Sequence, residues 1–241
     1  MQYLSFRCSR YCFSIIHKKI MKKLLVTLVS TFAMLTVTAS AFAQKAERPN
    51  WLVGDKWEYK VLQRNDGNKV SAYQHEVEKI TDDKLMIRTS GKNSEGVYIP
   101  GALLTYSADM NYMTRTGKGG TSTPDSQYLN WPLENNKKYP AEFSWVNSST
   151  ARAGKDDYKV VVSGPEDITV EAGTFKAYKL TAKGFWNRSD QEFRGSGQIS
   201  QTIWYAPEIK RWVKWETQSR DTRSSLFEDR VEELVKYTPG K

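Results

Sequence analysis

The chain has 241 residues, with 36 Lys or Arg against 27 Asp or Glu, so its formal net charge is +9. Six of the basic residues and no acidic residue lie in residues 1–43, which leaves 30 basic and 27 acidic side chains, a charge of +3, in residues 44–241. That part has no block rich in Lys and Arg, so its composition argues against a nucleic-acid-binding protein.

Residues 21–43 have the pattern of a secretory signal peptide. Lys22 and Lys23 form a basic start, an apolar run begins at Leu24, and a small-x-small cleavage pattern ends at Ala43. A single membrane helix is the alternative, but the apolar run is short, rich in Thr and Ser, and followed by a cleavage pattern. We therefore expect export, with a periplasmic product that does not span the membrane.

Cleavage before Gln44 would also remove both cysteines, Cys8 and Cys12. The mature chain would then have no disulfide, no thiolate nucleophile and no Cys metal ligand. No Cys stands at the cleavage site, which a lipid-anchored lipoprotein requires, so we expect a soluble product. Residues 1–20 match no targeting pattern, and we interpret them as an upstream extension before a start at Met21; a long basic start is the alternative.

Alternation of period two predicts that residues 44–241 fold as a single, nearly all-β domain. Trp57, Tyr59 and Val61 share one face of a strand, with charged residues on the other face. The clearest hairpin is residues 168–182, with a turn that ends at Gly173. Similar segments predict about ten strands, mostly antiparallel, arranged as a barrel, a half-barrel or a sandwich.

Two features of this domain have alternative interpretations. Residues 226–237 suit a helix of period 3.6 slightly better than a strand interrupted by charges. Residues 53–57 and 135–139 each place a turn before a basic and aromatic strand start, which suggests two similar halves, about 51–125 and 131–241. Coincidence is the other explanation, because junctions between loops and strands look alike.

Five segments carry a resemblance to a known family: VGDKWEYKV at 53–61, WPLENNKKY at 131–139, VEAGTFKAYKL at 170–180, WYAPEIKRWVKWE at 204–216 and EELVKY at 232–237. Together they resemble exported bacterial β-proteins of unknown function that share a P-A-G-T-F hairpin and a W-Y-A-P-E-x-x-R-x-V-K-x-E motif. The resemblance implies that the last element is a strand, and it implies no catalytic residues. A fainter likeness exists to the half-barrels that carry lipoproteins or lipids across the periplasm.

Lys210 departs from this family pattern, because it stands where the family usually has Gly. A non-Gly residue at positive φ costs about 1 kcal/mol, which leaves open another form for the turn.

Catalytic and metal-binding signals are weak. His75 is the only histidine of residues 44–241, no G-x-S-x-G motif accompanies it, and a His metal site would lack further His or Cys ligands. The Gly-rich residues 117–121 lack the spacing of a phosphate-binding loop. A pair of carboxylates for glycoside hydrolysis remains open, since its spacing is spatial. We therefore expect a non-enzymatic protein without a cofactor or metal.

The aromatic residues are the remaining signal. Alternation places Tyr205 and Trp215 in the core, and Trp204 and Trp212 on the more polar face. Exposed rings could stack on sugars or contact an acyl chain, but Trp is usually well buried, so burial against another element is the alternative. The candidate ligand-binding residues are Trp204, Trp212, Trp131 and Trp186.

These observations lead to three functional hypotheses. The first is a periplasmic protein that binds an apolar or amphipathic cell-envelope ligand, a lipid or a glycan, in its concave interior; an interior filled by side chains would contradict it. The second is a structural or protein-interaction subunit of an envelope complex, monomeric or homodimeric, with outward Trp residues as anchors. The third is a hydrolase that uses two carboxylates in a cleft.

Overall fold

The computed structural model describes residues 45–115 and 120–241. Within these ranges the regular structure consists of fourteen β-strands and one short 3-10 turn, Pro207–Ile209. The strands are β1 (Lys45–Ala46), β2 (Lys56–Gln63), β3 (Lys69–Ile80), β4 (Lys84–Lys92), β5 (Tyr98–Ser107), β6 (Tyr112–Arg115), β7 (Thr121–Thr123), β8 (Leu133–Glu134), β9 (Lys138–Asn147), β10 (Arg152–Val170), β11 (Gly173–Ser189), β12 (Arg194–Ala206), β13 (Arg211–Asp221) and β14 (Leu226–Thr238).

Twelve of these strands form a closed antiparallel barrel in the order β10-β11-β12-β13-β14-β2-β3-β4-β5-β6-β7-β9, and β9 pairs with β10 to complete the ring. The predicted all-β antiparallel fold is confirmed, and the structure selects the barrel among the three expected arrangements. Strands β1 and β8 form a separate two-stranded sheet. No helix of the described ranges is long and apolar enough to cross a membrane. The predicted extension, signal peptide and cleavage site lie outside the described residues.

The core lies inside the barrel and follows the predicted alternation. In β2 the side chains of Trp57 and Tyr59 are fully buried, whereas Lys60 is exposed. The buried rings also satisfy their polar atoms, since Trp57 Nε1 donates to the carbonyl of Ile209 at 2.8 Å and Tyr59 Oη donates to that of Trp212 at 2.8 Å. These bonds link β2 to β13 and to the turn before it, across the intervening strand β14.

The last element is a strand, as the family resemblance implied and against the slight preference of the periodicity. β14 pairs with β13 on one side and with β2 on the other, and so joins two neighbouring parts of the barrel. Arg230, Glu232 and Leu234 occupy alternate positions; Leu234 is fully buried, and the two charged residues face the interior. Because charged side chains occupy inward positions, the apolar alternation of an ordinary strand is lost there.

The turn at Lys210 keeps the left-handed backbone that a Gly would favour. Lys210 has φ 60° and ψ 20°, and its N–H donates to the carbonyl of Pro207 at 3.1 Å. Its ammonium group donates to Asp55 at 2.9 Å, which offsets the cost of about 1 kcal/mol for a non-Gly residue in this conformation. Lys210 therefore holds the left-handed conformation that a Gly at this position would adopt.

The two similar segments found in the sequence make the same backbone contacts. Gly54 and Asn136 both have positive φ, and their N–H groups donate to the carbonyls of Val77 at 2.8 Å and Val162 at 2.9 Å. In each case the N–H of that Val donates back to the carbonyl of the residue after the turn residue, at 2.9 Å. This match accompanies the sequence similarity, and the division into two halves stays a prediction.

Candidate ligand-binding cavity

Side chains do not fill the barrel interior, which contains a cavity of about 460 Å³. Its wall combines residues from both sides of the barrel with residues from 110–115 and 126–129. Apolar and aromatic side chains dominate the lining, and a few polar groups converge on it, which is the composition typical of small-molecule sites. The residues that line the cavity include Tyr73, His75, Leu104, Arg115, Tyr128, Phe143, Ile203, Trp212, Trp215, Arg230 and Glu232.

A one-residue irregularity between β12 and β13 places two tryptophans in this cavity. Ile203 pairs with Trp215, but the next inward residue, Tyr205, pairs with Trp212, so Val213 is an extra residue on β13. Such a bulge puts two residues opposite one and shifts the alternation by one position. Trp212 and Trp215 consequently both line the cavity, with their ring centroids 5.0 Å apart.

The aromatic wall is held by one buried amide. Gln201 Nε2 donates to Tyr128 Oη at 2.9 Å and to Tyr158 Oη at 3.1 Å, and Gln201 Oε1 accepts from Trp215 Nε1 at 2.9 Å. The ring of Tyr128 lies edge-on to Phe143, with centroids 5.9 Å apart. Rings held in this way present a fixed apolar surface, because rotation would leave a buried polar group without a partner.

A fully buried arginine, Arg211, lies behind His75 and Trp212, two residues that line the cavity. Arg211 has 0% exposure, and Nη2 donates to His75 Nδ1 at 2.7 Å. Its guanidinium carbon lies 4.1 Å from the ring centroid of Trp212 and 4.7 Å from that of Trp57. The π faces of these rings stabilise the guanidinium cation. No carboxylate of the described residues forms an ion pair with Arg211.

His75 is neutral in this environment. Burial, together with the positive charges of Arg211, Arg115 and Arg230, holds the pKa of His75 well below its ordinary range. Since Nδ1 accepts from Arg211, the neutral ring carries its proton on Nε2. Its predicted position, on one strand face with Tyr73 and Val77, is confirmed by the pairing of β3 with β2 and by the near-complete burial of Val77.

Among the described residues, Glu232 is the one carboxylate that lines the cavity. It accepts a hydrogen bond from Tyr73 Oη and forms an ion pair with Arg230. Burial and the charge of Glu232 raise the pKa of Tyr73 well above its ordinary value, so the phenol stays protonated and donates. A retaining or inverting glycosidase needs a second carboxylate on the same cleft, and the described lining provides none.

The structure separates the four predicted ligand-binding tryptophans. Trp212 lines the cavity, so the prediction that it lies on the outer polar face is wrong, because the bulge at Val213 reverses its side. Trp204 is half-buried on the outer side, where Nε1 donates to Glu166 at 2.8 Å and Lys179 lies over the ring.

Trp131 and Trp186 do not line the cavity either. Trp131 is partly exposed and its ring lies edge-on to Tyr205, with centroids 5.1 Å apart. Trp186 is 1% exposed and stacks on Phe227 at 5.0 Å. Both rings have structural partners, in line with the alternative interpretation that Trp is buried against other elements.

Sequence analysis did not find the charged part of the site. No sequence pattern pointed to Arg211, which lies at the start of a strand, or to Arg115, which precedes a loop. The break in the apolar alternation of residues 226–237 was a signal for Arg230 and Glu232, because both lie in that segment. Among residues 45–115 and 120–241, no group of three or more His, Cys, Asp or Glu comes together that could hold a metal ion.

Comparisons with known proteins give a likeness of architecture only. No protein-family model matches this chain, and no curated protein matches it. A candidate lipoprotein from Parabacteroides distasonis is 13% identical and has a TM-score of 0.48, covering 81% of this chain and 100% of that one.

A candidate exported protein with a YmcC-like fold from Bacteroides fragilis is 11% identical, with a TM-score of 0.48 and coverage of 80% of this chain and 99% of its own. The hypothetical lipoprotein YmcC from Escherichia coli is 7% identical, with a TM-score of 0.38 and coverage of 77% and 85%. All three of these structures are described as exported proteins or lipoproteins, the class of protein that the sequence resembles.

Proposed function

We propose that this protein is an exported, non-enzymatic β-barrel that binds an apolar or amphipathic ligand of the bacterial cell envelope inside the barrel. The observation that supports this proposal most directly is the cavity of about 460 Å³ with its largely aromatic lining. Pockets for small molecules typically measure about 300–1,000 Å³ and combine apolar walls with a few oriented polar groups.

The arrangement of the polar groups supports binding rather than catalysis. His75 accepts from a guanidinium group, is neutral, and has no Ser, Thr or Cys hydroxyl or thiol as a hydrogen-bonded partner among the described residues. A general base needs such a nucleophile or a water within reach and a pKa near the working pH. The signal pattern of residues 21–43 supports export to the periplasm, where envelope lipids and glycans are available.

Native mass spectrometry tests this proposal. The chain starting at Gln44 would be purified from the periplasm without detergent, and the sample would then be extracted with solvent to identify any small molecule. We expect a one-to-one adduct of lipid mass. A bare monomer that also stays bare after incubation with N-phenyl-1-naphthylamine, a neutral apolar probe, would contradict the proposal. A bare dimer would favour the interaction-subunit hypothesis instead.

A further inference from the structure

We infer that the ligand of this cavity is an anionic amphiphile, whose acid group lies beside His75, Arg115 and Arg230 and whose apolar chain lies against the aromatic wall. The inference rests on the proposed function, because it assigns the ligand class of the same cavity. It is carried by the charge balance of the lining, by hydrogen-bond donors that lack acceptors, and by the confinement of the charged residues to one side of the cavity.

The charge balance of the cavity is positive. Arg115 and Arg230 line it, and Arg211 lies directly behind His75 and Trp212, which also line it. Against these three cations, the described lining provides a single carboxylate, Glu232. Arg230 neutralises that carboxylate, so two positive charges remain without an acidic partner. Of these two, Arg115 is exposed and Arg211 is buried; a buried charge without an acidic partner is costly, and an anion bound nearby would offset that cost.

Donors without acceptors lie at the same place. Arg211 Nε and Nη1 and Arg230 Nε are buried and have no hydrogen-bond partner. The remaining ring proton of His75, on Nε2, has no partner among the described residues either. Arg211 cannot touch a ligand, because it is fully buried, but its bond to Nδ1 polarises the imidazole and makes Nε2–H a better donor. A bound acid oxygen can supply the acceptor that Arg230 Nε and His75 Nε2 lack, while Arg211 acts only through its bond to His75.

The charged groups of the described lining lie on one side of the barrel, where apolar residues such as Leu104 are also present, and the other side is uncharged. His75 on β3, Arg115 on β6 and Arg230 on β14 belong to one side of the barrel. Phe143 on β9 and Trp215 on β13 belong to the aromatic wall. A ligand with an acid at one end and a hydrocarbon at the other matches both walls, whereas a neutral glycan would leave the cations unpaired and a phosphate or acetate ion would leave the rings uncovered.

Displacement of N-phenyl-1-naphthylamine at neutral pH separates these ligand classes. The competitors would be dodecanoate, dodecanol and dodecylammonium, which share one chain length and differ in charge, together with acetate and inorganic phosphate, which have charge but no chain. We expect dodecanoate to compete about tenfold or more better than dodecanol, which corresponds to one charge-assisted contact. Dodecylammonium, acetate and phosphate should compete more weakly still.

The outcomes distinguish the inference from the proposed function. If dodecanol or dodecylammonium competes as well as dodecanoate, the anion inference is wrong and the binding function stands. If acetate or phosphate competes as well as dodecanoate, the site binds the acid alone, and the amphiphile inference fails. If the probe does not bind and no competitor is detected by native mass spectrometry, the proposed function fails as well.

Two variants test the charges themselves. Arg115→Gln removes an exposed cation and should weaken dodecanoate about threefold to tenfold, with dodecanol unchanged. Glu232→Gln removes the competing carboxylate but keeps an acceptor for Tyr73, so dodecanoate should bind about threefold or more tighter. Arg194→Gln, an exposed residue outside the cavity, is the matched control. Equal affinities for dodecanoate in all three variants would overturn the inference; a gain in Glu232→Gln is not expected from damage to the fold.

Discussion

Two buried carboxylates in this barrel have opposite environments. Asp55 is fully buried and accepts from the N–H groups of Leu52 and Gly240, from Tyr237 Oη and from the Lys210 ammonium, at 2.8–2.9 Å. Asp156 is 6% exposed, and its Oδ1 has no hydrogen-bond partner. The charged form of Asp55 is stabilised in the fold, whereas the charged form of Asp156 is destabilised. As the pH rises, ionisation of Asp55 should therefore increase the free energy of unfolding, and ionisation of Asp156 should decrease it.

Asp55→Asn should lower the free energy of unfolding by about 3 kcal/mol at pH 7, because Lys210 would lose its buried partner. Although burial acts to raise it, the hydrogen bonds from Gly240, Leu52, Lys210 and Tyr237 hold the pKa of Asp55 below its ordinary 3.8. A lowered pKa gives stability that is present above about pH 4 and is lost as the pH falls through the folded-state pKa. Urea unfolding at several pH values measures this. A loss that does not shrink in acid would contradict the account.

Asp156→Asn should have the opposite pH dependence. Burial raises the pKa of Asp156 to about 6, against the opposing effects of Arg188 and Trp145. The folded protein then binds this proton more tightly than the unfolded chain, so the carboxylate destabilises the fold increasingly as the pH rises from about 4 to about 6. We expect the variant to be more stable than the parent by about 1–3 kcal/mol at pH 8 and equal to it near pH 4. The same difference at both pH values would show that Asp156 does not titrate as stated.

At the scale of elements, the alternating pattern predicted most strands and their faces, including β2 and the β10–β11 hairpin. It failed at Trp212, because the single extra residue Val213 reverses every side chain before it on β13. It was also ambiguous at β14, where inward charged residues replace the apolar ones. The cavity itself could not be predicted, since it depends on which side chains from distant strands meet across the barrel.

A close contact between β10 and β11 depends on one glycine. A Cβ added to Gly184 would lie 1.7 Å from the carbonyl oxygen of Asp157, so the paired strands would have to move apart. Gly184→Ala should therefore lower the free energy of unfolding by about 2 kcal/mol or more. Gly91→Ala, also in a strand but with nothing within 4 Å of its added Cβ, is the control and should change it by less than about 0.5 kcal/mol. Equal effects in urea unfolding would contradict the proposed close contact.

At the scale of the whole molecule, the closed barrel encloses a cavity. The aromatic wall, with Phe143 on β9 and Trp215 on β13, and the charged side, with His75 on β3, Arg115 on β6 and Arg230 on β14, come from strands distributed along the chain. Closure of the ring places them around one cavity. A protein that only needed stability would gain from filling that space, because a cavity forfeits packing contacts. A cavity with an aromatic and charged lining is therefore expected in a protein that binds a ligand there.

Filling part of the cavity should weaken ligand binding and leave the fold intact. Leu104 lines the cavity on β5, and Leu104→Trp would occupy part of its volume. We expect affinity for N-phenyl-1-naphthylamine and dodecanoate to fall about tenfold or more. Ile99→Trp, on the same strand but 52% exposed, is the matched control and should bind like the parent. Unchanged binding in Leu104→Trp, with the circular dichroism spectrum preserved in both variants, would place the ligand elsewhere.

The most direct test of the central claim is methyl NMR of the chain starting at Gln44 during titration with dodecanoate. Occupation of the cavity predicts chemical-shift changes that saturate at one equivalent in the methyl groups of Leu104, Met110 and Ile203, which line it. The exposed methyl groups of Ile99 and Val161 should not shift. Shifts confined to Ile99 and Val161, or none at all, would contradict a ligand-binding barrel interior.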